Sequence, residues 1–113
     1  MAQEGMESAV RNLMTQIGRG QYEEAVRSCS ASRLTSDDLR EVIRTYGRKL
    51  VELPDHVYER LDVIGIIDSN PPAWSVVVPL WSEEEGLSDL MLELTVINDG
   101  KRWHVELDDL RVP

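Results

Sequence analysis

The chain has a single cysteine in 113 residues, so Cys29 cannot close an intrachain disulfide and no multi-cysteine zinc or iron–sulfur site can form. Long apolar runs are missing as well, since none approaches the roughly 18 to 20 residues that span a bilayer. The opening residues MAQEGMES lack a basic stretch followed by an apolar one, which is the pattern of a secretory leader. A cytoplasmic protein without a membrane partner is expected. Basic side chains are scarce too, 12 against 21 acidic ones, for a net charge of −9 and a pI near 4.6. A field of that sign repels phosphate backbones and anionic lipids and attracts basic proteins. Nucleic acid is therefore not expected as a direct ligand.

What is present is enough for one core. A chain of this length hides about two-thirds of its surface on folding, without help from disulfides or metals. A single domain over residues 1–113 is expected, helical over about 4–50 and sheet-forming over about 56–113. Met6, Ala9, Val10, Leu13, Met14 and Ile17 recur at helical spacing, and Gly18 and Gly20 stop the pattern. Tyr22, Ala25, Val26 and Cys29 make a second, shorter stripe. A third begins at Thr35, an N-cap followed by Asp37 and Asp38 at the positive end of the helix dipole, and carries Leu39, Val42, Ile43 and Tyr46 to a stop at Gly47 or before Pro54.

Beyond Pro54 the period changes to two. Tyr58 to Ile67 reads as a strand whose two faces are both apolar and both covered. Ala73 to Ser82 follows, with Pro79 requiring an edge or a bulge. Leu90, Leu92, Leu94 and Val96 alternate against Met91, Glu93, Thr95 and Ile97 as a half-buried strand, and Asp99-Gly100 signals a tight hairpin into Trp103, Val105 and Leu107. Leu110 falls out of phase with Leu107, which predicts one extra residue near Asp108-Asp109 as a bulge. The expected fold class is α+β, with three N-terminal helices packed on a curved antiparallel sheet of about four strands.

The segments GRGQYEEAVRSCSASRLTSDDLREVIRTYG and RWHVELDDLRV resemble small bacterial members of the nuclear transport factor two-like, cystatin-related superfamily. VPLWSEEEGLSDLMLELTV is similar to an uncharacterised group of small bacterial proteins. The first resemblance implies a cone-like fold and a range of activities: isomerases, dehydratases, small-molecule binders, dimerisation modules and immunity proteins that neutralise toxins of rival bacteria. Its enzymes usually place an Asp and a His or Tyr inside the cone. The phase holding Leu90 to Val96, Trp103, Val105 and Leu107 offers neither acid nor base, which argues against a catalytic interior. The opposite phase would bring Glu93, Thr95, His104, Glu106 and Asp108 inside, at a high desolvation cost. His56 reads as a solvated turn residue and Cys29 as a small core residue.

No catalytic residues, metal ligands or cofactors are therefore assigned. The acidic runs Glu83-Glu84-Glu85 and Glu106, Asp108, Asp109 lack the D-x-D-x-D-G spacing of a calcium loop. Trp81 falls in the opposite phase from Trp74 and Trp103 and precedes the three glutamates, which fits either an exposed aromatic anchor ringed by steering charges or a ring packed under the loop or against a crossing element. The leading expectation is an immunity- or antitoxin-like inhibitor that occludes a basic partner, such as a nuclease toxin, through Trp81, Glu83, Glu84 and Glu85, with Glu106, Asp108 and Asp109 as a second acidic edge. One alternative is a small-molecule binder or an isomerase- or dehydratase-like enzyme with a pocket built from Tyr22, Tyr46, Trp103 and His104. Another is a homodimer paired through the sheet face that bears Met91, Thr95 and Ile97.

Overall fold

The first apolar stripe forms helix α1 (Ala2–Gly18), which buries Val10, Leu13, Met14 and Ile17. Gly18 ends it against the next layer, because a Cβ there would stand 3.2 Å from the Glu52 backbone. The second stripe forms α2 (Tyr22–Ser28), one of whose residues, Ala25, is fully buried. The third forms α3 (Ser36–Tyr46) within the expected limits. The Thr35 hydroxyl accepts from the Asp38 N–H at 3.0 Å while the Thr35 N–H donates to the Asp38 carboxylate at 2.9 Å, a reciprocal cap that satisfies two orphan donors. Gly47 closes the helix at φ 77°, in the left-handed region that glycine reaches at little cost. The computed structural model describes the backbone of residues 2–113 and the side chains of residues 5–113.

The sheet is built on three long strands, β4 (Ala73–Ser82), β5 (Gly86–Asn98) and β6 (Trp103–Arg111), antiparallel to one another. Their inward positions, from Val76, Val78 and Leu80 to Leu90, Leu92, Leu94, Val96, Val105, Leu107 and Leu110, meet the helical stripes in one core. The expected slip is present: Glu93 pairs with Asp109 and Leu94 with Leu107, which leaves Asp108 as the extra residue. A second shift lies between Pro79 and Trp81. Such bulges bend and twist strands, and the architecture is α+β with a curled mixed sheet and several helices.

The element count differs from the expectation. Among the described residues there are four helices and six strands. The additions are β1 (Ala31–Ser32), β2 (Leu50–Val51) and α4 (Asp55–Tyr58), and β1 runs parallel to β6, so the sheet is mixed rather than antiparallel. The segment expected as one covered strand over Tyr58 to Ile67 is also corrected. Tyr58 belongs to α4, and strand β3 is only Asp62–Gly65, exposed throughout. It lies at an edge, because β4 pairs with β2 through Trp81 and Ser82 and with β3 through Trp74 to Val77, on the flank away from β5. Pro79 sits between those two patches. The Ile66 N–H donates to the Ala73 carbonyl at 2.9 Å, and alternation from that bond aims the Pro79 nitrogen into the gap between β2 and β3. No ladder bond is lost there.

Candidate docking surface

Among the described residues the inner face of the sheet carries no Asp, Glu, His, Lys or Arg. Its buried polar side chains are Ser82 and Ser88, both bonded: Ser82 Oγ lies 3.0 Å from a Glu85 oxygen, and Ser88 Oγ donates to the Leu80 carbonyl at 2.8 Å. Glu93, Thr95, His104, Glu106 and Asp108 occupy the other face of the sheet, as the desolvation argument requires. Among the described residues no group of three or more His, Cys, Asp or Glu is arranged to hold a metal ion, and no helix is long and apolar enough to cross a membrane.

At the expected anchor, Trp81 packs against a crossing element and the three glutamates make bonds within the fold. Trp81 is half-buried, edge-on to the His56 ring with centroids 6.0 Å apart at 87°. A Cβ at Gly86 would lie 3.4 Å from its ring. The exposed apolar residue at this end is its cross-strand partner Leu87, 58% accessible. Glu84 accepts from the Lys49 N–H at 3.0 Å. Glu85 accepts from the Tyr46 hydroxyl at 2.8 Å, and Glu83 stands 3.8 Å from Lys49 Nζ. The acidic turn thus ties β4 and β5 to the end of α3 and the start of β2, and two of its carboxylates are occupied in doing so.

The second acidic edge is placed differently. Glu106 faces outward across from Thr95, and Asp108 accepts from the Thr95 hydroxyl at 2.7 Å. Asp109 pairs with Glu93 across the strands, with Arg111 between them at 2.6 Å from Glu93 and 3.4 Å from Asp109. Val77, Met91 and Ile97 share this face through the same registers. The helices cover the other side, so the face is open: half-buried apolar residues interleaved with carboxylates.

The alternative pocket is not assembled. Tyr46 bonds to the Asp89 N–H at the start of β5, whereas Trp103 and His104 pair with Asn98 and Ile97 at its far end, roughly 30 Å away at strand rise. Tyr22 lies under the Arg40 guanidinium, 5.5 Å from its ring centroid. The His104 Nε2 is 2.6 Å from an Asp99 oxygen in the hairpin. Burial pushes the Tyr22 hydroxyl pKa up, partly opposed by Arg40.

Two grooves lie elsewhere. One, of about 480 Å³, runs between α1 and β3 and is lined by Met6, Glu7, Val10, Tyr58, Glu59, Leu61, Val63 and Trp74. The other, of about 430 Å³, lies between α3 and the chain end and takes in Tyr46, Leu90 and Val112. The first was not foreseen. Its only sequence signal is the apolar run Val63-Ile64-Gly65-Ile66-Ile67, whose exposure the alternation could not give.

No curated protein matches the chain. A family model described as a domain of unknown function, DUF7668, matches residues 14–113. That span takes in the last five residues of α1 and everything after it, and the chain belongs to the DUF7668 family.

Proposed function

We propose that this is a non-catalytic acidic docking protein that binds a basic protein through the open face of its sheet, most concretely as an immunity- or antitoxin-like inhibitor of a basic toxin such as a nuclease, acting in the cytoplasm. The observation that carries the reading is the pairing of Glu93, Glu106, Asp108 and Asp109 with Val77, Met91 and Ile97 on one uncovered surface. Carboxylates supply steering and partner choice, and the apolar rows supply burial on contact. Among the described residues the buried core holds apolar side chains, two bonded serines and Tyr58, with no buried Asp, Glu, His, Lys or Arg, which supports a role without chemistry. The helix-then-sheet order and the sheet curl support reading the fold as cone-like, of the nuclear transport factor two-like type. Self-pairing across the same face is disfavoured, because it would bring two sets of carboxylates together.

The test is affinity capture from the native cell with the intact protein and with the double variant Glu106→Lys/Asp108→Lys, each eluted over a salt gradient. The intact protein should retain a basic protein that leaves as salt rises, and the variant should lose it. Retention by both at high salt overturns the reading.

A further inference from the structure

We propose that the free edge of β3 is a strand-addition site for an extended basic-apolar segment of a partner polypeptide, whose alternate side chains enter the groove beside α1. It shares with the docking reading only the basic chemistry of the partner and uses a different surface.

The backbone parity is fixed by the Ile66 N–H bond to the Ala73 carbonyl. In an antiparallel pair, bonded positions alternate. Ile66, Ile64 and Asp62 therefore direct their peptide groups to β4, opposite Ala73, Ser75 and Val77. Val63 and Gly65 direct theirs outward, where β3 has no partner strand among the described residues. Unpaired edge groups of this kind are a template for another strand, and proteins commonly guard them with lysine, proline or a covering loop. This edge is short and carries Asp62, but β3 has neither lysine nor proline, and the segment exposes Val63 by 41%, Ile64 by 61%, Ile66 by 43% and Ile67 by 87%.

The groove completes the site. It lies between a helix and the open edge strand, the arrangement in which an added strand gains affinity from main-chain bonds and specificity from alternate side chains. Met6, Val10, Tyr58, Val63 and Trp74 give it apolar and aromatic walls, and Glu7 and Glu59 are its charged lining residues. Glu7 shares Arg11 with Asp55, whereas Glu59 has no ion pair among the described residues. That lining, in a chain of net charge −9, selects an occupant with an apolar residue and a lysine or arginine on its inward face. A second copy of this chain would bring further anionic charge to the same place.

Gly65 allows a clean test. A Cβ there would meet Trp74 at 3.7 Å, an ordinary van der Waals distance. Gly65→Ala therefore keeps the edge, while Gly65→Pro deletes one outward N–H and leaves the bonds to β4 intact. A displayed random library of peptides about twelve residues long is selected on the intact protein, and the most enriched peptide is synthesised. Enrichment of alternating apolar sequences with a basic residue is expected. The synthetic peptide should bind Gly65→Ala as it binds the parent, and bind Gly65→Pro at least about tenfold more weakly. Glu59→Lys should weaken it similarly, and Glu106→Lys/Asp108→Lys should leave it unchanged. No enriched peptide, or equal binding by Gly65→Pro and Gly65→Ala, overturns the proposal. So does a homodimer in sedimentation that Gly65→Pro alone disrupts, because the edge then belongs to a second copy. Loss of peptide binding only in Glu106→Lys/Asp108→Lys also overturns it and leaves the sheet-face reading standing.

Discussion

The Tyr46 hydroxyl bridges α3 to the hairpin between β4 and β5, donating to Glu85 at 2.8 Å and accepting from the Asp89 N–H at 3.0 Å. Both bonds cross about forty residues of sequence, so they act as a tertiary clip rather than a local turn. Tyr46→Phe should lower unfolding stability by about 1–2 kcal/mol, the cost of losing a charge-assisted bond that is partly open to water. Urea denaturation of the two proteins measures it. An unchanged midpoint would show that the acidic turn holds its shape without the clip and leaves Glu85 available for a partner.

Gly5→Ala should be destabilising although it replaces glycine by the best helix former. At an unconstrained helical site the change gains roughly 1 kcal/mol. Here the new Cβ would run into the Trp103 indole, with Cδ1 at 2.6 Å, and a rigid two-ring side chain cannot step aside as a lysine tip can. Trp103 also packs on Trp74, centroids 5.4 Å apart, and Trp74 lines the groove. A net loss of about 1–3 kcal/mol is expected, with a shift in tryptophan emission. Stabilisation would mean that the start of α1 lies away from Trp103.

Where a single period governs several residues, the sequence was enough. The alternation from Leu90 to Val96 became β5, Thr35 and Asp38 became a reciprocal cap, and the phase slip after Leu107 became the bulge at Asp108. Elements too short to show a period were missed: β1 is two residues, and α4 is four. The covering of β3 failed for another reason. Alternation reports which face is apolar but not whether another element reaches it, and Ile64 is left exposed. The internal bonds of the acidic turn were not legible because charge counting treats every carboxylate as free, whereas Glu84 and Glu85 accept bonds from Lys49 and Tyr46, brought near only by folding. Glu106 and Asp108 were legible as outward-facing because strand phase sets them against Val105 and Leu107 and the cost of burying carboxylates decides which phase faces the core.

The β5–β6 hairpin should keep its charge-dependent stability well into acid. His104 and the backbone N–H groups of Arg102 and Lys101 all bond the Asp99 carboxylate, holding its pKa well below the usual range. A lowered native value means that the unfolded chain takes up the proton first, so stability rises with pH across the window between the two values. The contribution is fully present above the ordinary value of 3.8 and is lost as pH falls through the lower native one. Asp99→Asn keeps a turn-forming residue before Gly100 and removes only the charge. Chemical denaturation should show the variant weaker at neutral pH, with the gap narrowing in strong acid. A gap that widens on acidification would mean that the carboxylate is not held ionised by these bonds.

Cys29 should behave as a packing residue when challenged chemically. Burial pushes its thiol up to about 11, against a smaller opposing effect of the Ser28 hydrogen bond. The Sγ also lies 3.3 Å from the Ala25 carbonyl, as donor. Only the thiolate attacks a disulfide reagent, so at pH 8 about one molecule in a thousand is reactive in the native state, against roughly a quarter for an ordinary thiol. Labelling by an aromatic disulfide should therefore be about a hundredfold slower in buffer than in denaturant, and should speed up about tenfold per pH unit from 8 towards 11 while the protein stays folded. Rapid labelling of the folded protein at pH 8 would require a cation or base beside the sulfur. The Ser28 hydroxyl and the Ala25 carbonyl, with which the sulfur makes its hydrogen bonds, cannot stabilise a thiolate as a cation does, so the geometry favours a packing role over a nucleophilic one.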